Sequence, residues 1–271
     1  MTTNVIDKTV PLPPPVKAGE QRVYRLTENG PDGLQRMTID PSGYHIVPEI
    51  QHLHVYWADP ELGMSVGVWQ TSPMQEVFGP YPGDEFILVV EGGFTMMDSL
   101  DGSGSNVACD TGQSIVFRNG APVSWKQTGD LKKFYITYLD PRAETPRIDS
   151  AEGGVLALQP TRELTDANLL PGTTTPQRDE VIFTNDHGNM EVGLWDTQAM
   201  STDMAPFPWH EFAQVLDGEV TITEPDGTRH VFTAGDVFFI PAGTICSWRV
   251  PHYLRKYYAT LDARIRPGAP S

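Results

Sequence analysis

MSVGVWQT, from Met64 to Thr71, and MEVGLWDT, from Met190 to Thr197, are one phrase written twice. Adding 126 carries the first copy onto the second: Gly67 onto Gly193, Trp69 onto Trp195, Glu85 onto Glu211, Phe86 onto Phe212 and Gly92 onto Gly218. Further along, the offset is 123, and Gly112 meets Gly235, Gly120 meets Gly243, Trp125 meets Trp248, Lys133 meets Lys256 and Tyr135 meets Tyr258. A single change of offset, placed where a turn is expected, is the mark of a duplicated domain with one shortened loop, and a repeat of this kind fixes the architecture before any other signal.

Each copy reads as short strands punctuated by glycine. Glu85–Ser99 (EFILVVEGGFTMMDS) and Glu211–Glu224 (EFAQVLDGEVTITE) are each a strand, a Gly and a second strand. DGSGSN from Asp101 and EPDGTRH from Glu224 are the following turns, the second around Asp226-Gly227. The strands are apolar on both faces: in EFILVVEG, Glu85, Ile87 and Val89 share one side, and Phe86, Leu88 and Val90 the other. A sheet wetted on one face would alternate polar and apolar residues, so one face is expected to line a barrel and the other to pack on another sheet. Between the copies the chain turns polar, and TRELTDANLL (Thr161–Leu170) is a candidate short helix with Thr161 as its N-cap.

The 271 residues carry 19 basic and 35 acidic side chains, a net −16. That excludes the basic surface on which nucleic acids and anionic membranes depend. No apolar secretory segment opens the sequence, no stretch reaches the length of a membrane span, and the two cysteines, Cys109 and Cys246, fall at unrelated positions of the repeat. The expectation is a reduced, cytoplasmic protein.

The motifs resemble those of the cupin superfamily. Its usual first motif ends in a Glu and, seven positions on, a Gly, as at Glu85–Gly92 and Glu211–Gly218. Its second is a Gly, then Pro-x-Gly, as at Gly235, Pro241 and Gly243; the first copy has Gly112 and Gly120, with Arg118 at the Pro position. The run GDVFFIPAGTICSW followed by LRKYY is similar to the branch of the ethanolamine-utilisation protein Q. The resemblance implies an all-β chain of two tandem cupin barrels (double-stranded β-helix, or jelly roll). The expected division is a Pro-rich arm over residues 1–44, a first barrel over 45–142, a linker over 143–176 and a second barrel over 177–271. It also implies a homodimer.

Metal-dependent cupins hold their ion with a His-x-His pair before that Glu and a further His after the second motif. Three imidazoles and a carboxylate make a compact transition-metal site. Here the pair falls on Met204 and Pro206 or Ala205 and Phe207 in the second copy, and on Phe78 and Pro80 or Gly79 and Tyr81 in the first. The last position is Cys246 or Val123. No standard metal site, and no cofactor, is expected.

The candidate site therefore sits in the second copy, where the second motif is complete. A carboxylate on an apolar wall that lacks a partner holds its proton more tightly than in water and can act as a general acid or base. On this reading Glu211 and Tyr258 are the catalytic candidates. Trp248, Cys246, His210 and Lys256 are candidate substrate-binding residues, as are Glu85 and Trp125 in the first copy. Glu211 could instead pair with Lys256, Arg255 or Tyr258 and serve structure. The partner expected is a small-molecule ligand. Three functions stand: an acid–base enzyme of small-molecule metabolism, a non-catalytic binding or sensing protein, and a metalloenzyme whose ligands lie outside the motif, drawn from His52, His54, His187 and His210.

Overall fold

The computed structural model describes residues 19–99, 104–159 and 161–265. The Pro-rich start read at Pro11–Pro15 and the centre of the DGSGSN turn lie outside these residues. The chain divides into two compact units, Thr27–Gln159 and Glu20–Leu26 with Pro160–Ser271. Both are built from antiparallel β-strands, and among the described residues the only helical elements are 3-10 turns at Pro41–Gly43 and Asp166–Asn168. None is long and apolar enough to cross a membrane.

In the first unit, one sheet runs in the order Val155–Ala157, Ser114–Phe117, Asp84–Glu91, Leu131–Tyr138, Met64–Thr71, Gln51–Asp59 and Gln35–Arg36. A second carries Gly93–Met97 and Pro122–Gln127 at its centre. The second unit uses the same strands without the breaks. His210–Thr223 spans the counterparts of both Asp84–Glu91 and Gly93–Met97, and Ile245–Leu261 spans those of Pro122–Gln127 and Leu131–Tyr138. These long strands turn from one side of the barrel to the other at register shifts between Val215 and Asp217 and between Gly218 and Thr221, as bulges allow. The registers also agree: Glu85 pairs Phe117 and Thr137, and Glu211 pairs Ile240 and Thr260. Even a bulge is copied, between Val55 and Trp57 and between Val181 and Phe183. The duplication read from the sequence is thus a duplication of strand pairing.

Glycine makes two of these turns possible. Gly92 and Gly218 have φ of 80° and 81°, and a Cβ on either would lie 2.1 Å from the Asp130 carbonyl oxygen or 2.0 Å from that of Tyr253. Gly67 and Gly193 serve differently. A Cβ there would meet the hydroxyl of Tyr135 at 2.7 Å or of Tyr258 at 2.4 Å, so each glycine is the gap through which a tyrosine crosses the neighbouring strand.

Each barrel interior holds the same buried ion pair. Lys133 Nζ lies 2.8 Å from Glu85 Oε1, and Lys256 Nζ pairs with Glu211 Oε1. The lysine reaches back four register positions, since Glu211 pairs Thr260 whereas Lys256 pairs Val215. Two indoles enclose each ammonium: Trp125 and Trp69 at 4.9 and 5.1 Å from Lys133, Trp248 and Trp195 at 4.9 and 5.2 Å from Lys256. The repeated Glu, Lys and Trp residues of the sequence are one constellation, made twice.

Three expectations change. Thr161 caps no helix; Thr165 caps the single 3-10 turn Asp166–Asn168, because ten residues with few apolar positions do not repay helix nucleation. The strand–Gly–strand reading of Glu211–Glu224 becomes one bent strand, His210–Thr223. Part of the segment expected as a Pro-rich arm is a strand of the second unit. Tyr24–Leu26 pairs antiparallel with Val237–Ile240, and Val23, Tyr24 and Leu26 are buried.

Gly67→Ala and Gly193→Ala should each destabilise the unit that carries them by about 1–3 kcal/mol, the usual cost of overpacking. Gly129→Ala, which meets nothing within 4 Å, should stay within about 0.5 kcal/mol of wild type. Chemical denaturation of the three variants checks this; equal stabilities would contradict the tyrosine-crossing geometry.

Candidate functional site

The two barrels share the ion pair and differ in what surrounds it. In the first barrel Phe94 stacks on Trp125 at 3.6 Å and Tyr81 on Phe117 at 4.5 Å. Both pairs belong to one packed cluster with Val123 and Tyr135, and Leu53 and Trp69 lie against it. Tyr81 donates its hydroxyl proton to Glu85 Oε2, and burial followed by that carboxylate's charge holds the phenol well above its ordinary range. The rings pack closely in this interior, and its carboxylate takes donors on both oxygens.

In the second barrel the counterparts of Phe94, Phe117 and Tyr81 are Val220, Ile240 and Phe207. The aromatic bulk shifts to Phe232 and Phe238, where the first barrel has Cys109 and Ile115. A cavity of about 670 Å³ lies here, walled by Trp195, Phe207, Trp209 and Trp248 and reaching Glu211, Lys256 and Tyr258. Among the described residues Glu211 Oε2 meets Trp209 Nε1, at 3.4 Å, which is long for a hydrogen bond.

Two acids enter this wall that the first barrel lacks. Asp179 stands where the first copy has Leu53, and Glu191 where it has Ser65; both line the cavity. Tyr135 bonds with Ser65 at 3.2 Å. Its counterpart Tyr258 crosses Gly193 and donates to Asp179 Oδ1 at 2.9 Å. Burial raises the Asp179 carboxyl above its usual range, and the Tyr258 hydrogen bond and Lys256 only partly offset that. Burial also raises Glu191, with the charge of Asp179 adding to it. Tyr258 is held strongly protonated by burial and by Asp179.

Of the residues singled out in the sequence, Glu211, Tyr258, Trp248, Cys246 and Lys256 come together on the cavity. Glu211 is 4 % exposed and paired with Lys256, which is the structural alternative set out above. Burial pushes the Cys246 thiol up to about 11. His210 does not line the cavity. As Glu211's neighbour on a strand it points to the opposite face, and its Nδ1 accepts from the Ala242 N–H at 3.2 Å. Its counterpart Asp84 accepts from the Asn119 N–H at 2.9 Å, so this position braces the second-motif turn in both barrels. Glu85 and Trp125 lie in the filled first barrel. The residues missed are Asp179, Glu191 and Trp195. The acids could have been found by searching the aligned copies for unlike pairs rather than like ones.

The metal of the fold family does not fit these residues. The positions of its histidines hold apolar side chains and Cys246, and the one remaining ligand position, Glu211, already faces the Lys256 ammonium. His54 packs edge-on against Tyr56 at 4.6 Å, and burial lowers its affinity for a proton. Among the described residues no three His, Cys, Asp or Glu side chains gather where they could hold a metal ion.

Residues 184–258 match the family model of the EutQ-like cupin domain. No curated protein matches the chain. Among solved structures, a DUF861-family protein of unknown function from Pseudomonas syringae pv. tomato is similar at a TM-score of 0.68 and 20% identity, over 89% of this chain and 100% of that one. A cupin 2 conserved barrel domain protein from Leptotrichia buccalis gives 0.53 and 12%, over 78% and 88%. The DUF861 protein Ylba from E. coli gives 0.51 and 14%, over 92% and 95%. At these identities the likeness is one of fold. The family match lies within the second barrel, residues 184–258, and the fold shared with these structures over most of the chain is that of two tandem cupin barrels.

Proposed function

We propose that the protein binds a small organic molecule in its second barrel, without a histidine-held metal. The observation that carries this reading is the cavity itself. The residues that wall it, Trp195, Phe207, Trp248 and Tyr258, have counterparts in Trp69, Tyr81, Trp125 and Tyr135 that pack into a filled core. Natural interiors are close-packed, so a volume of about 670 Å³ in one of two sister barrels is a feature kept at a cost in stability. Its size and mixed wall suit a metabolite-sized ligand. The wall also differs beside the indole: Trp125 Nε1 donates to Gln127 Oε1 at 2.8 Å, whereas Val250 stands at the matching position and Trp248 is turned to the Cys246 thiol on the cavity wall.

A second reading, acid–base catalysis on that ligand, is favoured by Asp179. Its carboxyl is raised by burial, faces the cavity and is joined to the proton of Tyr258. Glu211, by contrast, is locked to Lys256 in the arrangement of the filled barrel, which argues for a structural part. Positioned proton transfer contributes roughly 10²–10⁴-fold. Asp179→Asn should therefore lower turnover of any ligand that is also a substrate by that factor and leave its binding within a few-fold.

Cys246 offers a probe of the cavity. Only the thiolate reacts, so a thiol displaced to about 11 should be modified by a small methanethiosulfonate about tenfold faster for each pH unit between 7 and 10. Cys109, in the packed core and displaced to about 12, should stay unmodified in the folded protein. A bound ligand should shield Cys246, and Cys246→Phe should abolish its binding while keeping the β-rich circular dichroism spectrum. Equal modification of both cysteines, or ligand binding unaffected by Cys246→Phe, would contradict the assignment.

A further inference from the structure

Resting on the proposed ligand cavity, we infer that its occupant is an organic cation: a small molecule with a protonated amine or quaternary ammonium on an apolar or aromatic body. The lining charges carry the argument. Lys256 is engaged by Glu211 and enclosed by indoles on two sides. Arg264 at the rim is engaged by Asp262 at 2.6 Å. With those two pairs closed on themselves, Asp179 and Glu191 on the wall and Asp203 at the edge remain as carboxylates with no lysine or arginine of their own lining the cavity. Aromatic side chains line the same cavity, Trp195, Phe207, Trp209 and Trp248; Trp195 and Trp248 already lie over the Lys256 ammonium, which leaves Phe207 and Trp209 to meet a ligand.

Carboxylates set among indole faces attract a cation twice, by charge and by the ring quadrupole. The same wall is hostile to an anion, whose natural partner, Lys256, is already taken. The first barrel supplies the comparison. It keeps the Glu–Lys pair and both indoles but has Leu53 and Ser65 where the acids stand, and there Tyr81 and the phenylalanines fill the space. Both acids stand in the barrel that holds the cavity, and the matching positions of the first barrel carry Leu53 and Ser65. The two acids are also held above their ordinary carboxylate range by burial, a burden that an ammonium between them would relieve.

The test is calorimetric titration of the full chain at pH 8 with three phenylalkyl probes: phenethylammonium, 2-phenylethanol and 3-phenylpropionate. The ammonium should bind on the order of tenfold more tightly than the alcohol, and the carboxylate more weakly than either. Ammonium binding should shield Cys246 from the thiol reagent. Replacing the acids by the first barrel's residues, Asp179→Leu with Glu191→Ser, should erase the preference. The near-isosteric Asp179→Asn and Glu191→Gln should each weaken it, which keeps the test usable if the double change disturbs folding. If the alcohol or the carboxylate binds as tightly as the ammonium and shields Cys246, the cation inference is overturned and the ligand cavity stands. If no probe binds or shields Cys246, both are overturned. An ammonium preference unaltered in all the variants overturns the assignment of Asp179 and Glu191.

Discussion

A carboxylate sealed in an apolar barrel has to be answered by a cation, and this chain answers it with lysine. The Glu–Lys pair is drawn from two adjacent strands, four register positions apart, and lies under two indoles in each barrel. Desolvating two ions costs several kcal/mol, recovered only where geometry and neighbours are favourable. Here a second donor to the glutamate and the quadrupoles of the tryptophans supply what the bare pair lacks. Around that constraint the tyrosines find their places, since Tyr135 and Tyr258 face the same interior one alternate position along the strand. The glycines that let them cross follow in turn.

Duplication separates the permanent from the adjustable. Whatever is common to both barrels belongs to the frame: the ion pair, the indoles, the crossing tyrosine, and the brace of the second-motif turn by Asp84 or His210. Whatever is unlike is free to serve a ligand. Phenylalanine becomes valine or isoleucine near the indoles, tyrosine becomes phenylalanine over the glutamate, and leucine and serine become aspartate and glutamate. In the second barrel these changes go with a cavity that has an acidic, aromatic wall. The fold family's metal chemistry has no ligands here, and the lysine stands against the one carboxylate that would have served it.

The frame was legible in the sequence because it is written twice. The spacing of Gly92, Gly112 and Gly120 and their counterparts reports turns with positive φ, and the apolar alternation of EFILVVEG reports a strand buried on both faces. The ion pair was one of several alternatives, since Lys256, Arg255 and Tyr258 all lie on the partner strand and only the three-dimensional path of the side chain selects the lysine. Asp179 escaped notice because it precedes the second copy's opening phrase, on the strand Gln177–Thr184, and comes to the cavity only by pairing with Trp195. His210 was legible in orientation, from strand alternation, but not in task, which depends on a turn about thirty residues away that pairing brings to it.

The central claim is that the buried Glu–Lys pair builds both barrels alike and that ligand chemistry was added beside it in one. A double-mutant cycle measures this directly, with Glu85→Gln and Lys133→Met in the first barrel and Glu211→Gln and Lys256→Met in the second, each read on the unfolding of its own unit. The account predicts coupling of about 1–3 kcal/mol in both barrels, of similar size, because the two pairs share strand register, burial and aromatic cover. Coupling within about 0.5 kcal/mol of zero in either barrel would contradict it and return Glu211 to the list of groups kept for chemistry rather than for the fold.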